Sequence, residues 1–176
     1  MTEGHGFRRI VSVSKIGDAG WQQTVTARPD EFPAIARYLE LAGVKSLSGE
    51  IALERWRGKG VRLIGSLIAD VVQTCVVTLD PVDAHVEGNF ERGFLPPEKL
   101  KAVLGEQTEV VVDPTAEDPP EPLGQEIDLG EILIEELALN LDPYPRKPGV
   151  AYQGDADAEA RPNPFAVLAK LKPKKP

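Results

Sequence analysis

The sequence predicts an α+β fold in which a curled antiparallel β-sheet or split barrel is flanked by two main helices. Apolar and polar residues alternate through much of residues 44–95, as they do in strands with one buried face. Apolar residues recur at helical spacing over residues 30–42 and 128–141. Hydrophobic residues make up 41% of the 176, enough for one core. We therefore expect a single domain over residues 1–145 and a flexible C-terminal extension over residues 146–176.

The N-terminal part predicts two strands and the first helix. Residues 7–14 and 21–27 have strand composition, and residues 17–20 are typical of the turn between them. Asp30 can cap the helix that follows. Pro33 falls in the first turn of that helix, where a missing N–H costs little.

The central region predicts consecutive strands. A strand ending near Leu53 leads into a turn at residues 58–60, and residues 61–71 then place apolar side chains on one face. Residues 72–78 are expected to form its partner strand, and residues 82–94 alternate again. Because short turns join these segments, we expect antiparallel pairing and a sheet of five or more strands.

The region after the sheet predicts short elements and one longer helix. Residues 98–104 favour a short helix, and residues 113–125, rich in proline and acidic residues, predict a mobile acidic loop. Asp128 with Glu131 three residues later resembles a capping box at the start of the second main helix. Pro143 ends that helix.

The single cysteine, Cys75, excludes an intramolecular disulfide, and no apolar run approaches the ~20 residues that a membrane helix needs. With no recognisable signal peptide, these features predict a cytoplasmic protein with no membrane partner. A single cysteine flanked by valines is also typical of a small buried core residue.

The net charge of −8 is unevenly spread. Residues 102–145 contain twelve Asp or Glu and no Lys or Arg. Such a segment disfavours nucleic acid and favours a basic protein as its partner. We therefore take Glu131, Glu135 and Glu136 of the predicted helix as candidate partner-binding residues; the alternative interpretation is that they form the solvated face of that helix.

The predicted turn at residues 58–60 carries a group of cations beside one aromatic residue. Cations can hold phosphates, and an indole can stack on an unpaired base. A charged hairpin tip that serves only solubility, with its tryptophan in the core, is the alternative interpretation. The candidate RNA-binding residues are Arg55, Trp56, Arg57, Lys59 and Arg62.

Asp83, His85 and Glu87 alternate along one predicted strand, so their side chains share a face. Such a trio could bind a metal or exchange protons. An ordinary half-exposed strand has the same pattern. Phosphate-binding glycine loops, a nucleophile elbow and a Glu-x-x-His pair are missing from the sequence, so no catalytic motif supports an enzyme.

Residues 164–172 predict a short amphipathic helix with a basic end. A helix of this length is marginal alone, so it fits a segment that docks on a partner or on the body of the protein itself. Its candidate partner-binding residues are Phe165, Leu168, Lys170 and Lys172.

Three stretches of the chain resemble the YceD-like family, also called large ribosomal RNA subunit accumulation proteins. Residues 161–172 are similar to the usual C-terminal end of the family. Some members carry a second cysteine three residues after the first, a spacing that suits zinc. Here that position is Thr78, so the resemblance implies no zinc site and no cofactor. The other matching residues are Cys75, Leu79, Asp80, Pro81, Val82, Phe90, Phe94, Asp128, Leu129, Glu131, Glu135, Leu137, Leu139, Pro143 and Pro145.

The resemblance implies a non-catalytic ribosome-biogenesis factor that supports the synthesis, processing or stability of large-subunit (23S-type) ribosomal RNA. The expected partners are that RNA or a precursor particle, and a basic ribosomal protein or assembly factor. In the hypothesis we favour, the acidic segment holds the basic protein while the hairpin cations approach RNA. The alternative is a metal-assisted RNA-processing enzyme that uses Asp83, His85 and Glu87.

Overall fold

The computed structural model describes residue 4 and residues 6–104 and 119–151. Within them the chain forms an α+β fold of three α-helices and a main five-stranded sheet. In chain order the elements are β1 (Ile10–Ser12), β2 (Trp21–Thr26), α1 (Phe32–Tyr38), β3 (Gly43–Trp56), β4 (Gly60–Thr74), β5 (Pro81–Leu95), α2 (Pro97–Leu104), β6 (Glu121–Pro122), β7 (Glu126–Asp128) and α3 (Leu129–Asn140).

The main sheet has the strand order β2-β3-β4-β5-β6. The first four strands pair antiparallel as predicted, but β6 joins β5 in parallel, so the sheet is mixed. It does not close into a barrel, since β2 and β6 are its two edges within the described residues. The α+β class is therefore confirmed, whereas a wholly antiparallel sheet and a barrel are not.

Strand β4 runs unbroken through the point where the sequence analysis separates residues 61–71 from a partner strand at residues 72–78. The alternation of buried side chains continues through Val71 and Gln73, and nothing in this stretch breaks the strand. The chain instead turns at residues 75–80, where Leu79 has a φ of 61°. The predicted partner strand was therefore wrong, and β5 takes its place.

Strand β1 pairs with β7 rather than with β2. Ile10 lies opposite Asp128, and Ser12 lies opposite Glu126, in a separate two-stranded sheet. The predicted turn is present, since the amide of Gly20 donates to Gly17 O at 3.1 Å, but it does not join a hairpin of these two strands.

The three helices lie where the sequence places them, with altered ends. Helix α1 ends at Tyr38, because Glu40 takes a φ of 55°. Its N-cap residue is Glu31 rather than Asp30, and the Glu31 carboxylate bonds to Arg9. Helix α2 and the Asp128 cap of α3 confirm the predictions.

The core lies between one face of the sheet and helices α1 and α3. Leu133 and Leu137 of α3 are fully buried in it together with Leu47, Leu63 and Leu67 of the sheet. No described helix covers the opposite face of the sheet.

The predicted acidic loop at residues 113–125 is described only in part. Residues 119–125 are described and contain β6, and the other residues of the loop are not among the described residues.

Candidate functional surfaces

The hairpin between β3 and β4 brings one cation, Arg57, onto the indole of Trp56. Arg57 and Gly58 both have positive φ, at 45° and 83°, which turns the chain tightly. The Arg57 guanidinium lies 4.2 Å from the Trp56 ring centroid, a cation–π distance. The indole also packs on Gly93 of β5, where a Cβ would approach the ring to 2.8 Å. Trp56 is therefore half-buried and in contact with both Gly93 and Arg57.

Lys99 of α2 joins this hairpin, although it lies 42 residues from it in sequence. Its Nζ donates to Arg57 O at 2.9 Å. No local sequence pattern indicates this approach, because α2 follows β5 and only the folded sheet brings it to the turn. The exposed side chains of Arg55 and Lys59 complete the group. We refer to Arg55, Arg57, Lys59 and Lys99 as the cationic tip.

Arg62, the remaining RNA-binding candidate, lies on the surface of the sheet and pairs with a carboxylate there. It makes a bidentate ion pair with Glu91 of β5, at 2.5 and 2.7 Å. That bond lowers the pKa of the Glu91 carboxyl. Arg62 is therefore engaged within the sheet.

The uncovered side of the sheet, which we call the open face, consists of the side chains of β3, β4 and β5 that alternate with the core residues. Ile64 and Ile68 lie near its middle and are 39% and 48% exposed. Six carboxylates share this face with two permanent cations, so it is acidic overall. Its charged residues are Glu50, Glu54, Asp70, Asp83, Glu87, Glu91, Lys45, Arg62 and the titratable His85.

His85 lies between two carboxylates on the open face. Its Nδ1 is 2.7 Å from Asp70 Oδ1, and its Nε2 is 3.0 Å from Glu87 Oε1. These bonds, that to Asp70 foremost, raise the pKa of His85. Asp83 lies on the same face as predicted, but it pairs with Lys45 at 2.7 Å. Since a metal ligand must be a neutral imidazole with a free nitrogen, this arrangement favours an ion-pair network over a metal site.

The candidate carboxylates of α3, Glu131, Glu135 and Glu136, do not form one solvent-exposed face. Glu136 is buried, and it accepts two bonds from Arg92 of β5 at 2.9 and 2.7 Å. Glu135 accepts another at 2.6 Å, and Glu121 of β6 accepts a fourth at 3.4 Å. Glu131 is exposed beside this group. The interpretation of all three as a solvated helix face is therefore wrong for Glu136.

Arginines from other parts of the chain thus compensate much of the described acidic segment. Asp128 pairs with Arg8 at 2.9 Å, in addition to the carboxylates around Arg92. Four of its seven described carboxylates therefore contact an arginine: Glu121, Asp128, Glu135 and Glu136. Charges of both signs are intermingled here, contrary to the expected separation.

Cys75 is fully buried, as predicted, but it lies beside the β4–β5 turn rather than in the main apolar cluster. Its Sγ accepts from the amides of Thr78 and Lys147, each at 3.5 Å. The bonds from Thr78 and the Lys147 amide lower the pKa of the Cys75 thiol to about 6. The sulfur therefore fastens the segment after α3 to the turn. No group of three or more His, Cys, Asp or Glu within the described ranges is arranged to hold a metal ion.

The remaining candidates, Phe165, Leu168, Lys170 and Lys172, lie outside the described residues, as does the predicted helix 164–172. Among the helices that are described, none has the length and apolar character needed to cross a membrane.

Fold and surfaces define an α+β protein with one acidic open sheet face and one cationic hairpin end. The chain matches the family model described as large ribosomal RNA subunit accumulation protein YceD over residues 63–172. Since this match covers more than half of the chain, the protein belongs to the YceD family. Neither a curated protein nor a solved structure matches the chain.

Proposed function

We propose that this YceD family member supports the accumulation of large-subunit ribosomal RNA by binding, without catalysing a reaction, and that it contacts the RNA at the cationic tip. The observation that carries the proposal is that four cations, Arg55, Arg57, Lys59 and Lys99, lie at one hairpin end, where Arg57 lies 4.2 Å from the Trp56 ring centroid and Lys99 donates to Arg57 O. Cations concentrated at one end of an otherwise acidic protein can bind phosphates there, because the acidic remainder of the surface repels the RNA.

The geometry of the tip suits unpaired RNA. Since the Arg57 guanidinium lies over the Trp56 ring, a base that stacks on that side of the indole displaces the guanidinium. The displaced guanidinium could then pair with a phosphate, as arginine readily does. Arg62 has no part in this proposal, since it pairs with Glu91 on the open face.

The open face supports the second half of the proposal, a basic protein partner. Ile64 and Ile68 offer apolar contact area, and the surrounding carboxylates of Glu50, Glu54 and Glu87 complement a cationic surface. This face replaces the acidic helix as the proposed site, because Glu135 and Glu136 are occupied with Arg92. The same acidity argues against RNA on this side of the sheet.

Charge reversal at the tip tests RNA contact. Arg55→Glu with Arg57→Glu should weaken association with large-subunit ribosomal RNA or its precursor particles by at least about tenfold, because several phosphate contacts turn into repulsions. Sedimentation of the tagged protein in cell extract, before and after ribonuclease treatment, measures this association. Circular dichroism checks that the variant is folded.

The matched control reverses two exposed cations away from both the tip and the open face, Lys15→Glu with Arg146→Glu, at the same net charge. If both double variants lose association equally, the loss reflects total charge and the tip has no special role.

A separate experiment tests for catalysis, by incubating the pure protein with precursor ribosomal RNA and divalent metal. Cleavage that disappears in His85→Gln would overturn the binding proposal in favour of the enzyme.

A further inference from the structure

A groove of about 370 Å³ lies at the end of the sheet opposite the cationic tip. The ends of α1 and α3 and the β4–β5 turn form its walls, and most of its lining is apolar. Val76 of this lining is 46% exposed. The larger apolar lining residues are Leu39, Leu41, Val76, Leu141, Pro143 and Pro145.

The wall after α3 is held in place, so the groove is preformed. The amide of Val76 donates to Pro145 O at 2.9 Å, and the amide of Lys147 donates to Cys75 Sγ at 3.5 Å. The Lys147 ammonium also pairs with Asp80 at 3.2 Å. A preformed groove loses less conformational entropy when it is filled.

The side chain of Gln73 points to an occupant that donates a hydrogen bond. Gln73 lines the groove and is only 7% exposed. Its Nε2 donates to Asp142 O at 2.9 Å, but its Oε1 is buried with no hydrogen-bond partner among the described residues. Since a buried acceptor left unpaired is costly, a donor supplied by a ligand in the groove would satisfy it.

We infer that the groove is the docking site for the C-terminal segment of this same chain, residues 164–172. This segment carries Phe165, Val167, Leu168 and Leu171, which match the apolar lining, and Lys170 beside them. The charged residues of the lining are Glu40 and Asp142, both acidic. An apolar segment with lysines therefore complements the groove in hydrophobicity and in charge.

The length of the chain permits this docking. Pro145 lines the groove, and the described chain continues to Ala151. The twelve residues 152–163 then reach up to ~40 Å, enough to bring residue 164 back to a groove only a few residues upstream. The family match runs to residue 172, so the segment belongs to the pattern that defines the family. A short tether also gives an internal segment a concentration advantage over a separate molecule.

Hydrogen exchange of the full chain tests the docking. In Phe165→Ser with Leu168→Ser, amide protection around residues 73–76 and 141–147 should fall by about tenfold or more, because the groove loses its cover. Protection at the hairpin of residues 56–60 should not change. The control Lys174→Gln with Lys175→Gln, outside the docked segment, should match the unaltered chain. Unchanged protection of both groove peptides in the serine variant would overturn the inference.

A spin label distinguishes docking within one chain from docking between copies. The label is attached at Ala166→Cys in a Cys75→Ser background, which keeps a hydrogen-bond acceptor at position 75. Broadening of the amide signals of Leu41 and Val76 within the labelled chain supports the inference. Equal broadening when a labelled, NMR-silent chain is mixed with an isotope-enriched chain without label assigns the groove to a second copy and overturns it. Absence of broadening in both samples also overturns it.

Discussion

Arg92 of β5 donates to Glu136 of α3 through both Nε and Nη2, at 2.9 and 2.7 Å. The arginine side chain is 15% exposed and that of the glutamate 11%, so the pair is largely removed from water. Burial lowers the pKa of Arg92, but its bonds to Glu136 and Glu135 outweigh burial and raise it. The guanidinium therefore stays charged and ties α3 to the sheet.

Replacement of Arg92 should destabilise the fold strongly. In Arg92→Met the Glu136 carboxylate stays buried without its cation, which typically costs about 3–5 kcal/mol. The free energy of unfolding at neutral pH, from urea denaturation, measures the loss. A further substitution, Glu136→Leu, should recover much of it, because the buried charge is then removed as well.

The matched control is Arg62→Met. Its ion pair with Glu91 is about half exposed, with side chains at 40% and 52%. Exposed pairs contribute about 0–1 kcal/mol, so this variant should stay close to the unaltered protein. Equal losses in Arg92→Met and Arg62→Met would show that the buried position of the first pair has no special energetic role.

Gly49 of β3 is a point of close contact between the sheet and Leu133 of α3. A methyl group there would collide with the Leu133 side chain and lie 2.8 Å from Ser66 O. Gly49→Ala should therefore lower the free energy of unfolding by about 1–3 kcal/mol, the usual cost of overpacking. Guanidinium denaturation measures it. Gly17→Ala is the control, since its new methyl meets nothing within 4 Å and is expected to change stability by no more than about 1 kcal/mol.

The sequence was sufficient where the structural signal is local. The Asp128 cap and the apolar stripe of α3 lie within a few residues of each other, and they predict the helix nearly to its ends. Period-two burial likewise predicts the buried face of β4. The length of β4 was not predicted, because the alternation of apolar and polar residues indicates which face of a strand is buried but not where the strand ends.

Contacts between distant parts of the chain were not predictable in this way. Strand β1 pairs with β7 more than a hundred residues later, and β6 has only two residues, too few for a periodic pattern. The contacts of Arg92 could not be predicted from the sequence for the same reason. In sequence it is one polar residue of an alternating strand, and its carboxylate partners on α3 lie more than 40 residues away. Charge counted along the chain therefore suggested an uncompensated acidic segment that the fold compensates.

Asp128 joins the N-terminus of α3 to the first strand. Its Oδ1 accepts from the amides of Arg9 and Gly130 at 2.8 and 3.1 Å, and its Oδ2 accepts from Arg8 at 2.9 Å. Asp128→Ala should lose about 1–2 kcal/mol of stability at neutral pH, as lost N-caps do. Asp128→Asn keeps an acceptor but not the charge, and a smaller loss is expected. If the two variants lose the same free energy of unfolding, the charge of Asp128 stabilises the fold and its capping hydrogen bonds do not.

The same residue predicts acid sensitivity. Burial raises the pKa of Asp128, but the Arg9 amide and the Arg8 side chain outweigh it, and the net shift is downward from 3.8. A carboxyl with a lowered folded pKa stabilises the fold above its unfolded pKa and loses that contribution as pH falls through the folded value. The stability difference between the unaltered chain and Asp128→Asn should therefore shrink below about pH 4. A difference that is constant from pH 7 to pH 2 would contradict this assignment.

His85 should titrate above its ordinary value of 6.5, because Asp70 and Glu87 hold its imidazolium between them. A raised folded pKa gives stability that is fully present below the unfolded pKa and is lost as pH rises through the folded value. We therefore expect the contribution of this network to decline above about pH 6.5. An NMR titration of the His85 ring measures the shift directly. Asp70→Asn should move the pKa back toward 6.5, whereas Asp83→Asn, which alters the Lys45 pair, should move it less. Equal shifts in the two variants would mean that His85 responds to the general acidity of the open face and not to its bond with Asp70.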